Sequence, residues 1–228
     1  MKVKICGIMT EYDLSMCAAA GADALGFVVE YPVEVPWNLS AKDAAKLMKK
    51  VPSNVQTVLV TGGEPDKIIA LAKKLQPSAV QLHYKESFFD VLMIVVALRP
   101  LGIRVIKALS IDEKGQLTFE ISGLAKAAEF LQNSVDALLL DSCTAASHGG
   151  TGKRVDSRIY TRLQKHTSLP IILAGGLTPD NLQEVLAGIK APCMVDVLSG
   201  VEYAPGWKDK EKVSAFIKAA KQGQEENT

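Results

Sequence analysis

Six polar side chains stand at or near the ends of short apolar runs in this chain, and several of them can move a proton. They are Cys6, Gln81, His83, Lys107, Asp141 and Asp196. A thiol serves as a base where positive charge or N–H groups favour its thiolate, and a carboxylic acid donates a proton where desolvation raises its pKa. Cys6 and Asp141 are therefore the candidate base and acid. Such a pair suits an isomerisation, for which no cofactor and no metal are expected.

Some of these residues also have a plainer interpretation. On spacing alone, a buried apolar role for Cys6 stays as open as a catalytic one. Lys107 fits a position on the rim of a site. Cys17 and Cys193 lie on or beside apolar runs and are predicted to be core residues.

Three glycine-rich segments form a second group of candidates. They cover residues 149–153, 174–177 and 198–202 in the second half of the chain. Glycine lets backbone N–H groups approach an anion because no Cβ stands in the way. A tight turn would explain any one segment, but three together favour a phosphate site. The predicted phosphate-binding residues are Gly150, Gly152, Gly175, Gly176, Ser199 and Gly200. The first segment lacks the full Walker pattern, so an NTPase is not predicted.

The elements that must position these residues alternate along the chain. Short apolar runs predict eight strands, at residues 3–6, 24–29, 55–60, 79–82, 104–109, 137–140, 171–174 and 194–197. Amphipathic runs predict helices at residues 12–20, 41–48, 65–75, 88–98, 124–131, 156–165, from 178 onward, and at 209–220. Thr10 and Ser40 are predicted to cap the first two helices.

Eight strand–helix units predict an α/β fold, a single (β/α)8 TIM barrel over residues 1–221, with a polar tail at 222–228 that frays. An open doubly wound sheet is the alternative. Residues 6–9, which follow its first strand, lack the phosphate fingerprint that this alternative requires. Functional groups of a barrel lie at the C-terminal ends of its strands, so the candidate residues should converge on one mouth.

The composition excludes several classes of function. The chain has 26 Lys+Arg and 25 Asp+Glu among 228 residues, and its net charge of +1 gives no basic footprint for nucleic acid. No apolar run reaches the roughly 18 residues of a membrane span, and the N-terminus lacks the apolar region of a signal peptide. The 4 cysteines form no CxxC pair, which argues against a zinc site or a disulfide framework. We therefore expect a reduced, cytoplasmic compartment and no nucleic-acid or membrane partner.

Seven motifs, taken in chain order, resemble those of the phosphoribosylanthranilate isomerase family. They read KICGI at 4–8, GADALGF at 21–27, VQLH at 80–83, LLLDS at 138–142, GGTGK at 149–153, AGGLTPDN at 174–181 and VDVLSGVE at 195–202. The resemblance implies the Amadori rearrangement of N-(5-phosphoribosyl)anthranilate to 1-(2-carboxyphenylamino)-1-deoxyribulose 5-phosphate in tryptophan biosynthesis. A phosphosugar is then the small-molecule partner, and a monomer or homodimer is expected.

The resemblance also implies roles for individual residues. Asp141 matches the acid that protonates the ribose ring oxygen, and Cys6 matches the base that removes the C2 proton. Asp196 matches an aspartate near the anthranilate end of the substrate. Gln81 and His83 are expected to contact the substrate as well, and the glycine segments match the phosphate site.

Trp37 is the main departure from the family pattern, because an arginine that helps to hold the anthranilate carboxylate is usual there. A tryptophan cannot form a bidentate ion pair, but its ring can stack on another ring, so Trp37 is expected to bind substrate. We expect a divergent member that holds the carboxylate through Lys107 or Arg104, or that acts on a related phosphoribosyl amine. Milder departures are Leu198 in place of a usual serine, and residues 155–157 in place of Phe-Asp-Trp.

Two other functions remain open on the sequence. A Schiff-base aldolase acting on a phosphosugar needs a desolvated lysine in the barrel, and Lys107 is the candidate. A barrel that binds a phosphorylated metabolite without transforming it would keep its phosphate affinity after loss of Cys6 and Asp141.

Overall fold

Eight parallel strands close on themselves in the computed structural model, which describes residues 1–112, 116–121, 123–142, 157–190 and 192–222. The predictions for Gly150, Gly152, residues 155–156 and the tail beyond residue 222 lie outside these residues. Of the two predicted core cysteines, Cys17 is buried, whereas Cys193 is exposed. The strands are β1 (Lys2–Ile5), β2 (Ala24–Val28), β3 (Gln56–Thr61), β4 (Ala79–Leu82), β5 (Arg104–Ile111), β6 (Ala137–Ser142), β7 (Ile171–Leu173) and β8 (Met194–Val197). The predicted TIM barrel is confirmed, and the open sheet is excluded.

Helices follow the strands around the outside of the barrel. Those within the described part of the chain are α1 (Glu11–Ala19), α2 (Ala41–Met48), α3 (Pro65–Leu75), α4 (Phe88–Leu98), α5 (Leu124–Leu131), α6 (Ser157–Gln164), α7 (Leu182–Ala187) and α8 (Lys210–Gln222). The predicted caps are confirmed, since the side chains of Thr10 and Ser40 accept hydrogen bonds from the backbone N–H groups of Asp13 and Asp43. No helix of the described residues is both long and apolar enough to cross a membrane. The predicted boundary after residue 221 stays a prediction.

Strand alternation separates two apolar layers. Val3 and Ile5 on β1 belong to the larger core, together with the helix residues that cover the sheet. Cys6 belongs to a second cluster that includes Val28 and Val60. In parallel strands buried on both faces, this alternation decides whether a side chain meets a helix or the lumen of the barrel.

The register of β1 closes the barrel. Lys4 is opposite Ala24 of β2 on one side and opposite Asp196 of β8 on the other. The backbone N–H of Cys6 donates to the carbonyl oxygen of Val197 at 2.8 Å, which continues the β1–β8 ladder past the end of the strand. The side chains of the first and last strands therefore meet at the same level of the barrel.

Two local features differ from the expected elements. α7 begins at Leu182 rather than at 178, because the backbone N–H of Thr178 donates to the Asn181 side chain at 2.9 Å and forms a turn before the helix. A hairpin of β9 (Glu202–Ala204) and β10 (Trp207–Lys208) follows a 3₁₀ turn at Ser199–Val201 and was not anticipated. The hairpin places Lys208 opposite Glu202.

Candidate active site

A cavity of about 710 Å³, including its open mouth, lies where the C-terminal ends of the strands meet. Most of the residues predicted from the sequence line it within the described part of the chain. They are Cys6, Trp37, Gln81, His83, Asp141, Gly175, Gly176, Asp196, Ser199 and Gly200. The expected convergence of strand ends therefore brings the two candidate proton-transfer groups into one space.

Cys6 and Asp141 are both nearly enclosed by protein at the wall of this cavity. Their exposed fractions are 4% and 7%. Burial raises the pKa of the Cys6 thiol; the nearby cations Lys4 and Lys208 lower it and Asp196 raises it further, so the net pKa lies above that of a free thiol. A raised pKa favours the protonated thiol, so the use of Cys6 as a base requires its deprotonation.

Asp141 is held by a chain of side chains on the opposite side of the mouth. Nε2 of His83 lies 3.2 Å from Oδ2 of Asp141, and Nδ1 of His83 lies 3.1 Å from Nε2 of Gln81. The Tyr31 hydroxyl donates to the backbone carbonyl of His83. Gln81 and His83 are two residues apart on β4 and just beyond it, so both face the lumen. The arrangement fixes the direction in which Asp141 presents its carboxyl group.

Asp196 is paired beneath the cavity rather than free to bind a ligand with both oxygens. Its Oδ2 accepts from Nζ of Lys4 at 2.7 Å, while its Oδ1 is buried without a hydrogen-bond partner among the described residues. One carboxylate oxygen of Asp196 is therefore occupied by Lys4, and the other has no hydrogen-bond partner among the described residues.

Trp37 is fixed at the rim by a buried carboxylate. Its Nε1 donates to Oε1 of Glu202 at 2.8 Å, and Nζ of Lys208 donates to the same oxygen at 2.8 Å. Gly7 makes room for the indole, since a Cβ on Gly7 would lie 3.0 Å from Cδ1 of Trp37. The residue that departs from the family pattern is thus integrated into the wall, where its ring borders the cavity.

Lys107 and Arg104 do not take the role proposed for them. Nζ of Lys107 is bonded to Glu86 at 2.7 Å and donates to two backbone carbonyls, and the residue does not line the cavity. Burial lowers the pKa of Lys107, and Glu86 partly offsets that effect. Arg104 is exposed at the first residue of β5, at the opposite end of the barrel. Both expectations for the carboxylate were wrong, and the Schiff-base lysine loses its candidate.

Two glycine segments meet at one side of the cavity. Gly175 and Gly176 have φ values of +84° and +62°, which favour glycine. A Cβ on Gly200 would lie 1.9 Å from the carbonyl oxygen of Leu177, so the segments after β7 and β8 touch backbone to backbone. This close approach explains the glycine at position 200, and Gly175, Gly176 and Gly200 all border the cavity.

Sequence reasoning missed several residues that build the site. They are Lys4, Tyr31, Glu202 and Lys208. Lys4 carried a signal, because a lysine inside an apolar strand of a parallel barrel must be paired. Glu202 ends the motif at 195–202, but neither its bond to Trp37 nor its pairing with Lys208 across the unanticipated hairpin could be read from the sequence.

Fold and site together define a barrel enzyme that has a thiol and a carboxyl group at the mouth, beside glycine segments suited to an anion. The chain belongs to the N-(5'-phosphoribosyl)anthranilate isomerase family, whose model matches residues 3–219. The isomerase of Methanosarcina acetivorans is 39% identical over 222 residues, which cover 95% of this chain and 91% of that protein.

Solved structures agree with this assignment. The crystal structure of phosphoribosyl anthranilate isomerase from Thermotoga maritima has a TM-score of 0.80 at 32% identity, covering 97% of this chain and 99% of that one. A second isomerase structure, in complex with reduced 1-(o-carboxyphenylamino)-1-deoxyribulose 5-phosphate, has a TM-score of 0.76 at 32% identity and covers the same shares.

Proposed function

We propose that this chain catalyses the Amadori rearrangement of N-(5-phosphoribosyl)anthranilate to 1-(2-carboxyphenylamino)-1-deoxyribulose 5-phosphate, a step of tryptophan biosynthesis. The observation that carries the proposal is a single cavity lined by the Cys6 thiol and the Asp141 carboxyl group. Family membership supports it, as does the similar isomerase whose structure holds a reduced carboxyphenylamino-deoxyribulose phosphate.

The first step opens the sugar ring. Asp141 donates its proton to the ring oxygen as the C1–O bond breaks, and the lone pair of the substrate nitrogen forms a C1=N bond. The products of this step are a protonated Schiff base and the Asp141 carboxylate. Nε2 of His83, which lies 3.2 Å from this carboxylate, keeps it oriented through the step.

The second step moves a proton from carbon. The Cys6 thiolate removes the C2 proton, the C–H electron pair forms a C1=C2 bond, and the C1=N electrons return to nitrogen. The resulting enolamine loses its enol proton and gains a proton at C1, which gives the ketone. The proton on Cys6 is delivered to C1 and the enol proton restores the acid form of Asp141, so both groups return to their starting forms and the reaction needs no oxidant or reductant.

The ends of the substrate are held by different parts of the wall. We assign the phosphate to the backbone N–H groups around Gly175, Gly176, Ser199 and Gly200, because glycine leaves these groups accessible to an anion. We assign the aromatic ring to the side of the cavity bordered by Trp37, where an indole face offers stacking. A substrate of this kind is a small phosphosugar.

We also propose a cytoplasmic location, because a catalytic free thiol needs a reducing compartment. The quaternary structure in this proposal is a monomer or a homodimer.

Turnover of phosphoribosylanthranilate by the purified protein, followed by chromatography of substrate and product, tests the function. We expect product from the natural chain and from Cys17→Ser, which alters a buried cysteine that does not line the cavity. We expect almost none from Cys6→Ser. Equal activity in both variants, or no activity in the natural chain, would refute the proposal.

A further inference from the structure

Lys4 is a completely buried cation beside the proposed catalytic thiol, and the mechanism above gives it no task. Its exposed fraction is 0%, and its Nζ lies 2.7 Å from Oδ2 of Asp196. Cys6 directly follows β1 and is two residues from Lys4, and its backbone continues the ladder to β8, so both side chains point into the barrel. An isolated buried ammonium group is costly, and a barrel can seat an apolar residue there instead.

Gly26 on β2 shows how close the lysine and the thiol lie. A Cβ on Gly26 would be 2.7 Å from the sulfur of Cys6 and 3.0 Å from Cε of Lys4. The two side chains therefore lie over the same point of β2. Sγ of Cys6 and Cε of Lys4 are closer to each other than the sum of these two distances. Glycine at position 26 is what admits both of them side by side.

Asp196 completes the group from the other side. It shares one oxygen with Lys4 and keeps the other buried and unpartnered within the described structure. The Lys4 ammonium group can therefore interact with two anions, the Asp196 carboxylate and the sulfur of Cys6 once Cys6 is deprotonated.

We propose that Lys4 is a positioning residue that stabilises the Cys6 thiolate, and that Asp196 holds the ammonium group in place and limits its pull on the sulfur. The inference rests on the proposed function, in which Cys6 must accept a proton. In this proposal, Lys4 and Asp196 together set the fraction of Cys6 that is present as thiolate, and their role is not only to stabilise the barrel.

Electrostatic balance supports this division of roles. The pKa of Lys4 is lowered by burial but raised more strongly by Asp196 and Cys6, so Lys4 stays protonated. The charged groups that shift the pKa of Cys6 are Lys4 from β1, Asp196 from β8 and Lys208 from β10. The titratable groups Asp141 and His83 line the same cavity. Of the two cations, Lys4 has the larger effect on the thiol.

Opposite effects of two single variants test the proposal. The probe is iodoacetamide, whose reaction with Cys6 is followed from neutral to alkaline pH by mass spectrometry of the peptide, without substrate. Lys4→Met should slow alkylation at neutral pH about tenfold, which corresponds to a rise of about one in the thiol pKa. Asp196→Asn should accelerate alkylation about threefold, because the ammonium group is left with the sulfur as its counter-ion.

If either single variant fails to fold, a double variant that removes both buried charges tests the same proposal. Lys4→Met/Asp196→Asn leaves no unpaired buried ion, and it should fold while its Cys6 reacts more slowly than in the natural chain. The matched control is Lys107→Met/Glu86→Gln, a second buried pair with the same 2.7 Å distance that does not line the cavity. Its Cys6 alkylation should change less than about twofold.

Same-direction changes in the two single variants would overturn the inference. The inference would also be overturned if Cys6 of Lys4→Met/Asp196→Asn were alkylated as fast as in the natural chain. An equally large change in the Lys107→Met/Glu86→Gln control would overturn it as well. Failure of the proposed function would be distinguishable. The variants would then still show the expected changes in Cys6 alkylation, but the natural chain would not convert phosphoribosylanthranilate.

Discussion

A single methyl group at position 200 should disable the proposed phosphate site. The Cβ of Gly200→Ala would lie 1.9 Å from the carbonyl oxygen and 3.0 Å from the carbonyl carbon of Leu177. Ordinary contact between such atoms needs about 3.5 Å, so the two segments must separate by about 1.5 Å. Both contacts are to backbone atoms, and no side-chain rotation can relieve them.

The size of the effect follows from that displacement. A shift of about 1 Å in a binding group can cost about 100-fold in kcat/KM, or about 2.7 kcal/mol. Because the phosphate is remote from the reacting carbons, the loss should fall mainly on KM. Crowding should also destabilise the fold by about 1–3 kcal/mol.

Steady-state kinetics with phosphoribosylanthranilate, together with competition by inorganic phosphate, measure this prediction. The control is Gly188→Ala, whose Cβ would meet only Ser157 at the ordinary distance of 3.8 Å. We expect the control to match the natural chain. A folded Gly200→Ala protein with unchanged KM and unchanged inhibition by phosphate would place the phosphate elsewhere and refute the reasoning.

Four further predictions concern the proton-transfer pair and the buried polar contacts. Cys6→Ser and Asp141→Asn should each lower kcat about 10²- to 10⁴-fold with phosphate inhibition kept, and lost inhibition in both would contradict their roles. The kcat/KM of the natural chain should rise with pH to above the usual thiol pKa, because burial raises the pKa of Cys6 and the base must be deprotonated; a profile flat up to that pH would argue against a thiol base. Trp37→Phe should lose about 1–2 kcal/mol in urea unfolding through its missing hydrogen bond, and no loss would mean that the bond contributes nothing. Lys107→Met should lose about 3–5 kcal/mol of stability by leaving the buried Glu86 carboxylate without its counter-ion, and an unchanged Tm would contradict this cost.

The barrel was predictable because its strands are buried on both faces. Leu138, Leu139 and Leu140 of β6 are all fully buried, and such a run reads as a strand without alternation. The hairpin after β8 was not predictable, because strands of three and two residues leave no pattern. The late start of α7 depended on reciprocal bonds between the side chains and backbone N–H groups of Thr178 and Asn181, which form a turn that leads into the helix.

The convergence of the site was predictable, but its internal pairing was not. Parallel strands carry Cys6 and Asp141 to one mouth whatever lies between them. Trp37 and Glu202 are separated by 165 positions, and Lys4 and Asp196 by 192, so only the closed barrel reveals these partners. The same limit explains Lys107, which was expected on the rim of a site but is buried and ion-paired with Glu86 from the loop before α4.

Closure of β1 against β8 has a consequence for the order in which the molecule is made. Ribosomes release β1 first, yet the counter-ion of Lys4 is synthesised 192 residues later. Until then, a nascent chain that buried β1 would bury an uncompensated ammonium group. The first strand to emerge should therefore be among the last to dock. A chain that stalls before β8 lacks Asp196 and cannot form the buried ion pair beside Cys6.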